Sequence, residues 1–128
     1  MSYIDGFVLT IQEDKIEEYR EMAQEAGEVW KKHGALEYFE CVGDDMDPDT
    51  MGESMIKFPD MANAKPDEIV IFAFIVYESK EHRDDVNKRV MEEMTEKYKD
   101  NPDRMKNMPF DMSKMAYGGF NAIVEERK

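Results

Sequence analysis

The apolar run from Ile69 to Tyr77 constrains the fold of this chain more than any other feature. Val, Ile and Phe dominate it, and neither Gly nor Pro interrupts it. Such a run predicts a strand that is buried on both faces. A helix should follow, since Ser79 suits the N-cap. Val86, Val90 and Met94 recur at four-residue spacing and would form its inward stripe.

The rest of the chain predicts one more helix and three more strands. The helix begins near Glu13, where apolar residues take up helical spacing, and stops at Gly34, a residue suited to positive φ. Alternation and β-branched or aromatic enrichment predict the strands Tyr3–Ile11, Ala35–Gly43 and Met115–Val124.

Two segments lack a sustained period. The residues from Asp44 to Pro66 predict a long connection. The second helix should end before Asn101-Pro102, because the residue before a proline is disfavoured in a helix. The stretch from Asp100 to Ser113 is predicted to be irregular, with a helical turn around Arg104–Asn107.

The order strand, helix, strand, strand, helix, strand predicts one α+β domain over residues 1–128. Two βαβ halves with right-handed crossovers give a ferredoxin-like βαββαβ fold, with a four-stranded antiparallel sheet and both helices on one face. The other sheet face would be bare, although its residues are apolar too. We therefore expect a homodimer in which two such faces pack together.

The most informative feature of the composition is a strongly negative net charge. The chain has 30 acidic and 17 basic residues, which give a net charge of -13. So negative a surface repels phosphate backbones and anionic lipid, which argues against nucleic acid and membranes as partners. Met1–Thr10 resembles no signal peptide, and the run ending at Tyr77 is too short to span a bilayer. The prediction is a cytoplasmic protein.

No cofactor and no metal are predicted. Cys41 is the single cysteine and should be a buried packing thiol. The positions of His33 and His82 do not match the spacing of metal-binding residues. The acidic run from Asp44 to Glu53 suggests a calcium-binding loop as one interpretation. An EF-hand loop that starts at Asp45 would need Gly and Glu at positions that Thr50 and Ile56 occupy, so a solvated acidic loop is favoured.

A first polar cluster comprises His33, Glu37, Tyr38 and Glu40. A histidine beside strand carboxylates suits a general base with an orienting partner, which makes His33 a candidate catalytic residue. The alternative is that His33 only complements the helix dipole at a C-terminus.

A second cluster comprises Arg83, Asp84 and Asn87. Arg83 and Asn87 lie one helical turn apart and offer donors and an acceptor for a small ligand. The alternative, which we favour, is a structural ion pair between Arg83 and an acid of the same chain.

Several blocks of sequence resemble the YbaA-like family of small proteins. They are WKKHGALEYFECVGDD from Trp30, FP at Phe58, EIVIFAFIVYES from Glu68, RDDVN from Arg83 and MPFDMSKMAYGGF from Met108. The resemblance runs over nearly the whole chain. It implies a dimeric α/β-barrel fold and no established reaction.

Two classes of function remain open at this point. One is a small-molecule site, with or without cofactor-independent catalysis, lined by Tyr38, Arg83, Asn87 and Tyr117 with His33 as base. The other is a non-catalytic dimeric binding protein, in which the same residues only build the fold.

Overall fold

A four-stranded antiparallel sheet is the frame of the protein. The computed structural model describes residues 1–101, 103 and 108–128. The strands are β1 (Tyr3–Gln12), β2 (Glu37–Val42), β3 (Glu68–Tyr77) and β4 (Ala116–Asn121), in the spatial order β2-β3-β1-β4. The central pair is the longest, because β1 and β3 pair over their whole length, from Tyr3 opposite Tyr77 to Gln12 opposite Glu68.

Two long helices, α1 (Ile16–Lys32) and α3 (Lys80–Tyr98), pack on one face of this sheet. Val29 of α1 and Val86 and Val90 of α3 are buried against the strand ends that carry Tyr3 and Tyr77. A second cluster joins Tyr19 and Ala23 of α1 to the other half of the sheet through Leu9, Ile11 and Ile71. Strand alternation explains why one face supplies both clusters, since these sheet residues are separated by even numbers of positions within each strand.

The local signals at the helix ends are confirmed. The Ser79 side chain caps α3 by accepting a hydrogen bond from the His82 backbone N–H at 3.0 Å. Gly34 follows α1 with φ +113°. Helix α3 ends at Tyr98, before the predicted stop.

Three predicted segments come out differently. Strands β2 and β4 are shorter than predicted at both ends. The connection after β2 contains a four-residue helix, α2 (Phe58–Met61), which begins with Pro59 in its first turn. The helical turn predicted at Arg104–Asn107 lies outside the described residues.

The opposite face of the sheet is rich in exposed aromatic side chains. Phe39, Phe72 and Phe120 keep 47%, 45% and 60% of their surface accessible, and the Phe39 ring stacks on Phe74 at 4.9 Å between centroids. We call this surface, formed by Phe39, Phe72, Phe74 and Phe120, the open face. Cys41 pairs with Phe72 there and is exposed, so the prediction of a buried thiol is wrong for the single chain. The reason is that its strand position points away from the helices.

None of the helices in the described part of the chain combines the length and the apolar character that crossing a membrane requires.

Candidate functional site

A cavity of about 850 Å³ lies between the sheet and its helices. Its floor is the helix-bearing face of β1, β2 and β3, and its walls come from α1, α3 and the segment from Met108 to Met115. Six of the twelve methionines of the chain line it: Met22, Met91, Met94, Met108, Met112 and Met115. Because methionine is flexible and polarizable, such walls adapt to apolar ligands of different shapes.

One end of the cavity holds a buried ion pair. Asp5 of β1 is 1% exposed, and Arg83, in the first turns of α3, donates from Nη1 to its Oδ1 at 2.7 Å. The same Nη1 donates to the Tyr117 hydroxyl at 2.9 Å, and Arg83 Nε donates to Asp84 at 2.8 Å. The ion pair between Arg83 and an acid of the same chain is thereby confirmed.

Burial sets the electrostatics of this end. It raises the pKa of Asp5 above its usual value, and the charge of Arg83 only partly opposes the shift. Burial also raises the pKa of Tyr117, and the charge of Asp5 adds to the effect. Asp5 therefore takes up a proton more readily than an ordinary aspartate, while the Tyr117 hydroxyl stays protonated and able to donate.

Asn87 connects this ion pair to α1. Its Oδ1 accepts hydrogen bonds from the Trp30 indole at 3.1 Å and the Tyr77 hydroxyl at 3.2 Å. Its side chain also makes a hydrogen bond that lowers the pKa of Asp5. Asn87 is consequently fixed in orientation, with its acceptor turned to α1 and β3.

The third polar group is centred on Glu40 of β2. The Tyr19 hydroxyl donates to one carboxylate oxygen at 2.7 Å, and the Tyr38 hydroxyl donates to the other at 2.9 Å. Burial first, and the charge of Glu40 second, raise the pKa of both tyrosines far above the usual value. Both hydroxyls therefore remain donors at every physiological pH.

Three of the predicted ligand-binding residues line the cavity: Tyr38, Asn87 and Tyr117. Arg83 does not line the cavity itself but donates to Asp5 and Tyr117, which do.

His33 lies elsewhere, at the C-cap of α1, with Nε2 2.9 Å from the Glu93 carboxylate of α3. The first polar cluster divides accordingly. Tyr38 bonds Glu40, while Glu37 is exposed and points to the other side of β2. A catalytic role for His33 stays a prediction.

Sequence reasoning missed Asp5, Tyr19, Trp30 and Tyr77 as members of the site. For Asp5 a signal existed, because it shares a strand face with Tyr3, Phe7 and Leu9, and a charged residue on an apolar face needs a buried partner. For the others the residue types fit ordinary core packing.

Among the described residues, no three His, Cys, Asp or Glu side chains come together in a group that would hold a metal ion. The acidic positions Asp44–Glu53 fall within that part of the chain.

Fold and site together define a small α+β protein with a cavity between one sheet face and two helices. The family described as "Protein of unknown function (DUF1428)" matches residues 2–112, and the chain belongs to that family.

Relatives in enteric bacteria match over the full length. The chain is 39% identical over 130 residues to the "Uncharacterized protein YbaA" of Escherichia coli K12, with 98% of this chain and 100% of the relative covered. The Shigella flexneri protein of the same name matches to the same extent. Among solved structures, the de novo designed protein Foldit4 aligns with a TM-score of 0.45 at 12% identity, over 95% of this chain and 99% of that one.

Proposed function

We propose that the protein binds an organic small molecule in the cavity between the sheet and its helices, and that Asp5 makes cofactor-independent proton transfer available there. The observation that carries the proposal is the cavity itself. At about 850 Å³ it falls within the range of roughly 300–1,000 Å³ that is typical of ligand sites. Its apolar walls and few convergent polar groups are also typical of such sites.

The polar groups have distinct roles in this proposal. Tyr38, Asn87 and Tyr117 contact the ligand. Arg83 positions Asp5 and Tyr117 through hydrogen bonds of 2.7 and 2.9 Å. If the protein is an enzyme, Asp5 is better placed than His33 to act as the base, because Asp5 lines the cavity and burial raises its pKa above the usual value.

A thermal-shift screen of metabolites tests the binding proposal, with Ala73→Leu as the discriminating variant. Ala73 is buried on β3 and lines the cavity, so a larger side chain there takes up ligand space. We expect a hit to raise the melting temperature of the native protein. It should bind Ala73→Leu at least about tenfold more weakly, which corresponds to about 1.4 kcal/mol.

Phe72→Leu is the matched control for that screen. Phe72 is the neighbouring residue of β3 and points to the open face, so this variant should bind the hit as the native protein does. A screen without hits, or a hit that binds Ala73→Leu at native strength, would contradict a site in this cavity.

We further propose that the fold is ferredoxin-like and that two copies pair through their open faces to form a dimeric α/β barrel. The strand order β2-β3-β1-β4, with both long helices on one face, supports the fold class. The half-exposed Phe39, Phe72 and Phe120 support the pairing, because contiguous apolar surface marks interaction sites.

The second candidate function is a dimeric interaction protein without catalysis, which the aromatic open face favours. In either case we propose a cytoplasmic location, which suits the free thiol of Cys41 because such compartments keep thiols reduced.

A further inference from the structure

The charged residues that line the cavity are all acidic among the residues that the structure describes: Asp5, Glu18, Glu21, Glu25 and Glu40. Two of them, Asp5 and Glu40, lie on the strands that form the floor of the cavity, and they differ in whether a basic residue neutralises their charge. Asp5 is paired with Arg83. In the described chain, no Lys, Arg or His nitrogen lies within 4.0 Å of the Glu40 carboxylate. Among the described residues, this carboxylate is therefore stabilised by the hydroxyls of Tyr19 and Tyr38 and by no ion pair.

Two basic residues share a second cavity with Glu40 but are engaged elsewhere. This cavity has a volume of about 470 Å³, and Arg20, Lys31 and Glu40 all line it. Arg20 is paired with Glu17 at 3.6 Å, and Lys31 donates to the Leu36 carbonyl at 2.8 Å. Neither residue forms an ion pair with Glu40.

The two tyrosines that donate to this carboxylate pack against further aromatic rings. Trp30 lies 6.1 Å from the Tyr38 ring, and Phe110 meets the Tyr19 ring edge-on at 5.8 Å. The faces of such rings attract cations, and the attraction strengthens where water is excluded. A carboxylate that accepts from two tyrosine hydroxyls and has no cationic partner among the described residues matches an organic ammonium group.

We propose that the ligand of this cavity is an apolar organic amine, with its ammonium group at Glu40 and its apolar body along the methionine wall. This inference rests on the proposed function, because it requires that the cavity binds small molecules. An ammonium donates to carboxylate oxygens that already accept one hydrogen bond each, and each oxygen has a second lone pair for it. The described residues that line the cavity include no basic side chain, so an anionic ligand of the same shape finds no charge partner among them.

Calorimetric titration of the native protein with three compounds of one shape tests the inference. Phenylbutylamine, phenylbutanol and phenylbutyrate share an apolar body and carry a cationic, a neutral and an anionic head. We expect the amine to bind about tenfold tighter than the alcohol, as a charge-assisted hydrogen bond predicts, and the acid to bind most weakly.

Glu40→Gln should reduce the affinity for the amine to that for the alcohol. Glu37→Gln is the matched control, because Glu37 lies on the same strand, is exposed and points to the opposite face. It removes the same unit of net charge, so attraction to the acidic protein as a whole would weaken equally in both variants. Nuclear Overhauser contacts between the amine's terminal methylene and the rings of Tyr19 and Tyr38 test the placement in the native protein, without any variant.

The outcomes separate the two proposals. If none of the three compounds binds, the small-molecule site itself is contradicted. If the alcohol binds but the amine is no tighter, or the acid binds best, the amine inference is overturned while the site stands. An amine preference that survives in Glu40→Gln, or terminal-methylene contacts elsewhere, would overturn the placement at Glu40.

Discussion

At the scale of single residues, the buried ion pair of Asp5 and Arg83 couples the stability of the fold to the charge of the site. The carboxylate is 1% exposed and the Arg83 side chain 14% exposed, so both charges are largely withdrawn from water. Removing one partner of such a pair leaves the other charge buried without compensation. The pair thus ties the stability of the fold to the protonation of one carboxyl group.

Arg83→Met should lower the free energy of unfolding at neutral pH by about 3 kcal/mol, as expected when a buried charge loses its partner. The loss should shrink as the pH falls. Without Arg83 the pKa of Asp5 in the folded state rises further, because its ionised form has lost its partner. The loss of stability that the ionised carboxylate causes is therefore complete above that folded-state pKa. It disappears below the pKa of Asp5 in the unfolded chain, which is near 3.8. Urea unfolding across this pH range measures both quantities.

The double variant Asp5→Asn/Arg83→Met is the control for this effect. It has no buried carboxylate, so it should regain much of the loss at neutral pH and show a smaller change with pH. A loss in Arg83→Met that is equal at acidic and neutral pH would mean that packing of the arginine, rather than the charge of Asp5, is what matters.

Gly119 offers a second test at a single position. A Cβ there would overlap the Tyr3 hydroxyl oxygen and lie 2.7 Å from its ring, whereas a Cβ on Gly118 would meet only the Phe120 ring at 3.8 Å. Gly119→Ala should therefore destabilise the protein by about 2 kcal/mol through overpacking. Gly118→Ala should stay within about 0.5 kcal/mol in the same urea titration. Equal effects of the two substitutions would contradict the close approach of β4 to Tyr3.

At the scale of elements, local pattern was sufficient for most of the fold. The alternation in β1 and β3 and the helical spacing in α1 and α3 are properties of short windows, and they give the strands and helices within a few residues. The contact between Asp5 and Arg83 depends on how β1 and α3 meet, 78 positions apart, so no local window contains it. The same is true of Tyr19 and Glu40, which only the packing of α1 on β2 brings together.

The start of α3 has a local determinant that can be tested alone. Ser79→Ala removes the side chain that accepts from the His82 N–H, so we expect a loss of about 1 kcal/mol. Ser79→Asp keeps an acceptor and adds a charge that suits the helix N-terminus, so it should retain native stability. Chemical denaturation compares the two variants, and an unchanged Ser79→Ala protein would show that the cap is dispensable.

At the scale of the whole molecule, the net charge of -13 opposes the dimer that the open face favours. Two chains of like charge repel each other within about a Debye length, roughly 10 Å at 0.1 M salt. Burial of aromatic surface is independent of that screening and strengthens somewhat in salting-out conditions. Association through the open face should therefore tighten as salt is added, whereas a dimer held by surface ion pairs would weaken.

Phe72→Glu tests the dimer directly. Light scattering should give the native protein twice the monomer mass of 15.0 kDa, and Phe72→Glu the monomer mass, because the variant places a charge in the middle of the aromatic surface. Met61→Glu adds the same charge at an exposed site on α2, so this variant should remain dimeric. It separates the effect of a charge within the open face from the effect of a more negative net charge. A native protein that is monomeric at micromolar concentration would refute the pairing. A Phe72→Glu protein that stays dimeric would move the interface away from the open face and leave its aromatic side chains to another partner.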